Sequence, residues 1–353
     1  MKRYILILLL MPWTLLLART SFTAYPYLAY SSETKIMIGA FSFFKYEISE
    51  AESEAEKMEF GVLGNTIYSQ NKQFLFVIIP RFVYHDWEVE SDLLFRSWPD
   101  SFYGLGNFAD QEISEPFTSN QYSAEFILRR NLDYSLSVAL ISALGWHKAT
   151  KVQPGGMFES TDMLGKQDSF HSGLGFSLKY DSSDGSFFPR QGLRLESKQL
   201  WHDDALGSDF DFQTSKYDAR FYLPIGQEQV LAVQSDLEIN SGQVPYYLYP
   251  ELGARLRAYD SKRFIDKVRI SQRIEDRIFP FSGKFSQRIG FVLFGETGQV
   301  ASDFDLIRLK DWHFSAGAGL RFSILPQERL NLRADIGFGE DSVNFIINAR
   351  EVF

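Results

Sequence analysis

Over most of its length this chain places an apolar side chain at every second position, and it sustains that rhythm for about ten residues or more at a time. In residues 315–324 the odd positions carry Ser, Gly, Gly, Arg and Ser, while the even positions carry Ala, Ala, Leu, Phe and Ile. In residues 330–338, Leu330, Leu332, Ala334, Ile336 and Phe338 alternate with Asn331, Arg333, Asp335 and Gly337. Ile289, Phe291 and Leu293 are set against Arg288, Gly290 and Glu296, and Leu174, Phe176, Leu178 and Tyr180 against His171, Gly173, Lys179 and Asp181. A period of two is that of an extended strand with one apolar and one polar face. Soluble strands average about five or six residues, whereas a tilted strand that crosses a bilayer needs about nine to eleven. Length therefore points to an all-β fold, a transmembrane antiparallel β-barrel, rather than a soluble sandwich.

About sixteen strands are expected: 24–30, 35–46, 59–68, 73–84, 87–97, 121–130, 134–147, 169–181, 191–202, 211–222, 229–240, 264–278, 286–300, 312–324, 329–338 and 343–353. The connections are long after Trp98, Lys148, Ser241 and Ala301 and short around Asn131, Gly226 and Gln327, the asymmetry of long outer loops and short periplasmic turns. An even strand count places both termini in the periplasm, and the loops 99–120, 149–168 and 245–263 outside. The acidic segment 47–59 fits this scheme badly, because a periplasmic turn of that length is unusual.

Lys2 and Arg3 followed by an apolar run over residues 4–18 read as a secretory signal, with residues 1–20 removed and a barrel over 21–353. A membrane-anchoring helix is the competing reading, disfavoured because the run is short for a span. The absence of cysteine rules out disulfides, thiolate metal sites and lipid attachment to a cysteine after the signal. The 33 Phe, 17 Tyr and 6 Trp suit a barrel whose strands offer lipid only alternate residues. A net charge of −9 speaks against nucleic acid as a partner; the membrane-length alternating strands make outer-membrane lipid the surrounding to expect.

Five segments together resemble the BamA/TamA family of outer-membrane assembly and translocation barrels, the bacterial surface antigen family. They are SWPDSFYGLGNF (97–108), YDSSDGSFFPRQGL (180–193), LGARLRAY (252–259), FGETGQV (294–300) and SAGAGLRFSILPQERLNLRADIGFG (315–339). The resemblance implies a long loop that turns back into the lumen and pairs an arginine at its tip with acids on the wall. Arg257 occupies that position, and Glu296 and Glu275 are the implied partners. Alternation independently points both carboxylates inward, since Glu296 shares the face of Arg288 and Gly290, and Glu275 that of Arg269, Ser271 and Arg273. The family's glycine after the arginine is Ala258 here. Phe353, following Phe345 and Ile347 at alternate positions, resembles the terminal aromatic sorting signal of outer-membrane barrels.

The resemblance implies a role in outer-membrane protein or lipid assembly or export, through a weakly paired seam between the first and last strands. Almost the whole mature chain reads as barrel, so the periplasmic POTRA modules of the family are expected to be lacking, and a separate periplasmic or lipoprotein partner to supply them. A passive channel or structural outer-membrane protein is the alternative. An enzyme is not expected: His85, His147, His171, His202 and His313 fall in separate strands and turns, without a Ser/His or Asp/His motif or a metal-ligand spacing. No cofactor is expected.

Overall fold

The computed structural model describes residues 13–17, 20–47, 58–110, 112–185, 187–226, 228–283, 285–325 and 330–353. The strands are β1 (Trp13–Leu17), β2 (Thr20–Ser31), β3 (Lys35–Glu47), β4 (Met58–Ser69), β5 (Phe74–Tyr84), β6 (Trp87–Phe102), β7 (Glu115–Asn131), β8 (Leu136–Thr150) and β9 (Ser169–Asp181), then β10 (Gly192–His202), β11 (Phe212–Pro224), β12 (Gln229–Gly242), β13 (Val268–Ile278), β14 (Ile289–Ala301), β15 (His313–Leu325), β16 (Leu330–Phe338) and β17 (Val343–Ala349). Strands β2 to β17 form a closed antiparallel barrel of sixteen, each paired with its neighbours in the chain and β17 returning to β2. The short β1 lies outside that count, paired with Thr20–Ala24 of β2, in the segment expected to be a cleaved signal.

Every expected strand is present, with shifted ends. The first strand is Thr20–Ser31 rather than 24–30, and β6 and β7 run on to Phe102 and back from Glu115, so their connection is 103–114. Strand β13 starts at Val268 rather than 264, because Phe264 and Ile265 are buried as part of the preceding loop, with Ile265 bridging to Gly106 and Glu251. The last strand stops at Ala349 rather than 353: Arg350 takes a positive φ of 70°, where an extended strand cannot continue. The turn around Gln327 and residues 48–57 of the acidic segment lie outside the described residues.

Alternation sets which face meets lipid. In β12, Val230, Ala232, Gln234, Asp236, Glu238 and Asn240 are buried, and the residues between them are not. In β8 the buried positions are Ser137, Ala139, Ile141, Ala143, Gly145 and His147, while Leu140 is 64% exposed. Apolar side chains thus cover the outside, as hydrocarbon demands, while the lumen wall carries most of the buried charge together with apolar patches such as Ile127, Ala139, Ile141, Ala143 and Leu200. No helix among the described residues is long and apolar enough to cross a membrane.

The lumen is filled unevenly. At the long-loop end, residues 151–168 with the single helical turn α1 (Met157–Ser160) and loop 243–267 fold inward around Phe102, Phe117, Phe158, Tyr246 and Ile265. At the short-turn end a cavity of about 1510 Å³ opens among Arg81, Glu88, Asp92, Arg129, Arg220 and Arg350. Between them lies a dense belt of charge.

The face assignment has a direct test in Leu293, 59% exposed near the middle of β14. Leu293→Arg is expected to cost about 2–4 kcal/mol of folding free energy in lipid vesicles, measured by urea unfolding, and Leu293→Phe to cost little. Equal stability of the arginine variant would place this face away from lipid.

Candidate functional site

Loop 243–267 owes its course to two local devices. Leu252 and Leu256 are fully buried, and the turn between them is closed by Leu256 N–H donating to the Leu252 carbonyl at 3.1 Å. Gly253 permits this tight fold, since a Cβ there would lie 1.8 Å from the Asp260 carbonyl oxygen. On the wall, a Cβ at Gly337 of β16 would meet the backbone of Arg257 and Ala258 at about 3 Å, so the small residue lets the loop tip lie against the strand. Ala258 is buried and is not among the residues with positive φ, so the substitution of the family glycine is accommodated without strain.

The tip delivers Arg257 into the expected pocket. Its Nε donates to Glu296 at 2.6 Å, and its backbone N–H donates to the other oxygen of the same carboxylate at 2.6 Å. Its Nη2 lies 2.7 Å from Glu275, an ion contact without hydrogen-bond alignment. A third acid, Asp335 of β16, accepts from Nη1 at 3.1 Å, and the guanidinium lies over the Phe294 ring at 3.4 Å from its centroid. Burial alone would lower the arginine's pKa, but Glu275, Glu296 and Asp335 outweigh it and raise it, so the group stays charged at every accessible pH. Sequence reasoning placed Asp335 on the inward face without joining it to Arg257. The missing information was its register against β15, where Asp335 faces Gly319.

Asp335 extends the lock into a network. It also binds Arg321 and Arg333, the latter at 2.7 Å, and Arg321 Nε reaches Glu351 at 2.8 Å. Arg277 pairs with Glu275 at 2.8 Å and donates to the Phe353 carbonyl oxygen at 2.9 Å. Phe353 is therefore buried in the lumen, packed with Phe188, Tyr222 and Phe279 and 5.0 Å from the guanidinium carbons of Arg273 and Arg277. Phe345 remains on the lipid face at 41% exposure and Ile347 is half-buried, so the alternating pattern drawn through residue 353 ends with the strand.

The histidines are less scattered than their sequence positions suggest. His147, His171 and His202 step across β8, β9 and β10 on the lumen wall; loop residues Tyr246 and Tyr247 lie against the first two, and His202 packs on His171 and stacks on Phe212. His147 stacks on Tyr247 at 4.2 Å and shares a 3.0 Å hydrogen bond with Ser119, and His171 meets the Tyr247 hydroxyl at 3.1 Å. His147 is completely buried under the loop, and its Nδ1 meets no carboxylate among the described residues. The arrangement anchors the loop's first half as the arginine anchors its second. The strand offsets that align the three histidines are invisible in sequence.

Breaking the lock leaves buried charge unpaired. Arg257→Ala is expected to cost about 3–5 kcal/mol, read as a lower urea or heat midpoint of the folded barrel, with Glu296→Gln acting in the same direction. The double variant should fall short of the summed losses by about 0.5–3 kcal/mol, since both changes remove one interaction. Strictly additive losses would mean that the pair does not carry the loop.

A search of curated protein sequences finds no match to this chain. Among solved structures, BamA from Haemophilus ducreyi lacking POTRA domains 1-3 is similar over 94% of this chain and 70% of that one, with a TM-score of 0.63 at 13% identity. CdiB from Acinetobacter baumannii is similar over 95% of this chain and 60% of that one, with a TM-score of 0.55 at 10% identity. At these identities the likeness establishes the fold. Residues 54–341, which include the loop, Arg257 and all three of its acidic partners, match the Omp85 superfamily domain, and the chain belongs to that superfamily of outer-membrane β-barrels.

Proposed function

We propose that this barrel acts in the assembly or export of outer-membrane proteins or lipids, by opening along the seam between β17 and β2. One observation carries the reading: the seam is joined by a single register pair, Ile347 with Tyr30, whereas the barrel pairs on either side of it, β16–β17 and β2–β3, have seven and twelve. Beyond that pair β17 continues only through Asn348 and Ala349, without register pairs to β2, before the chain turns into the lumen, so Thr20 to Ala29 of β2 have no ladder to β17. Unpaired backbone groups are costly in hydrocarbon, and such an edge recruits another strand. In this structure β1 takes that place over Thr20–Ala24, an added strand on the free edge. Removal of residues 1–20 as a secretory signal would leave the edge open to a client.

The passive-channel reading is disfavoured by what fills the lumen. The aromatic core of the inward loops occupies the long-loop end, opposite the short-turn cavity, and narrows any path between the two ends. Client delivery by a separate periplasmic or lipoprotein partner accords with the resemblance.

A photoreactive residue at Tyr25 or Tyr27 of β2 tests the proposal in living cells. Cross-links to unfolded outer-membrane barrel precursors at these positions, and none to precursors at Leu140, which faces lipid on the opposite wall, are expected. Equal labelling at both walls, or ion conductance through the purified barrel without any edge-specific cross-link, would favour the channel.

A further inference from the structure

The same loop that carries Arg257 makes contacts on both sides of the seam at its long-loop rim. On the β17 side, Arg263 binds Asp341 through both terminal nitrogens, Nη1 at 2.7 Å, and Tyr259 accepts from the Glu340 N–H at 3.1 Å. Glu340 and Asp341 lie in the connection between β16 and β17. On the β2 side, Ser261 donates to Glu33, from its backbone N–H at 3.2 Å and from its hydroxyl at 2.9 Å. Glu33 lies in the turn between β2 and β3. Across the same rim the Ser32 N–H donates to the Asn344 side-chain oxygen at 3.3 Å.

We propose that residues 259–263 staple the two edges of the seam together at its rim, with Glu33 as the point at which the staple releases. The staple's two ends differ in chemistry. Arg263 to Asp341 is a two-point charged contact from a buried guanidinium to a half-exposed carboxylate, and the hydrogen bonds from Arg263 hold the Asp341 carboxyl below its usual range. Glu33 is surrounded otherwise: Asp100 of β6 and Asp260 of the loop approach it, and Tyr103, Lys72, Lys151 and Lys262 line the same cavity of about 690 Å³. Burial, then the charge of Asp100, push the Glu33 carboxyl up to about 7, against the opposing bonds from Ser261. A carboxyl raised in the folded state favours the protonated form. Its contribution is therefore full below the unfolded value and lost as pH rises through about 7. Neutral Glu33 still offers Ser261 an acceptor and adds a donor, while ionised Glu33 sets a third negative charge beside Asp100 and Asp260. The staple is tight in mild acid and loosens in mild alkali. This inference concerns how the seam is held and does not depend on what passes through it.

The test places spin labels at Tyr30 and Ile347 of the full barrel in phosphatidylethanolamine and phosphatidylglycerol vesicles and reads the distance distribution, counting only protein that runs as the folded, heat-modifiable form. A single short distance is expected at about pH 5.5, with a several-fold growth of the longer-distance fraction at about pH 8.5. Arg263→Ala and Asp341→Asn should show the long fraction at both pH values, and Glu33→Gln should remain short at both. Asp341 is half-exposed, so its substitution leaves the fold intact if Arg263→Ala does not. Unchanged distributions in Asp341→Asn and Arg263→Ala would overturn the staple, and a pH response that survives in Glu33→Gln would overturn Glu33 as its release point. If the seam opens as predicted while edge cross-linking at β2 finds no client, the staple stands and the proposed function falls.

Discussion

A backbone N–H or C=O in hydrocarbon must find its partner within the protein, because no water is present to supply one. A sheet satisfies that demand only by closing on itself, and sixteen antiparallel strands with a continuous ladder from β2 to β17 do so almost everywhere. The exception is the place where the last strand meets the first. There the ladder contributes one pair, and stability at the junction passes from backbone hydrogen bonds to side chains and to a loop. The inward loops, the charged belt and the buried tail become intelligible as consequences of that transfer.

Charge in the lumen is a costly way to hold a loop unless every group is answered. Arg257 meets acids from three strands, β13, β14 and β16, and its backbone N–H occupies the second oxygen of Glu296, so the loop tip is fixed in position and rotation by one residue. A lysine would present one point charge where the planar guanidinium reaches three carboxylates and stacks on Phe294. Buried pairs of this kind often add little net stability over apolar packing, so their value here lies in specifying a single loop position. An apolar tip would slide along a wall that is itself polar.

Much of this was legible in the residues. Period two assigned the faces, and parity alone pointed Glu275 and Glu296 inward before any contact was known. Parity equally turned Asp335 inward, but which charges meet across a lumen depends on strand offsets that one sequence does not reveal. The same offsets hid the approach of His147 and His171 beneath Tyr246 and Tyr247, with His202 beside them. The end of β17 departs from the alternation for a different reason: residues 343–353 keep a plausible period of two, and what stops the strand is Arg350 entering the left-handed region while Glu351 and Phe353 find partners on β15 and β13. Long-range attraction overrode local pattern.

That override connects the lock to the seam. Glu351 is drawn inward by Arg321, Arg321 binds Asp335, and Asp335 binds Arg257. Phe353 is drawn inward by Arg277, whose other partner, Glu275, also contacts Arg257. The charges that hold the loop are therefore the charges that remove the end of β17 from the β2 edge. Were the tail to continue as strand, Glu351 would leave Arg321 without one of its two carboxylates and the ladder would gain pairs at the seam, so a strong seam and the ion pairs of the belt compete for the same residues. The chain satisfies the belt, leaves the seam short, and relies on the far half of the same loop to hold the seam's rim.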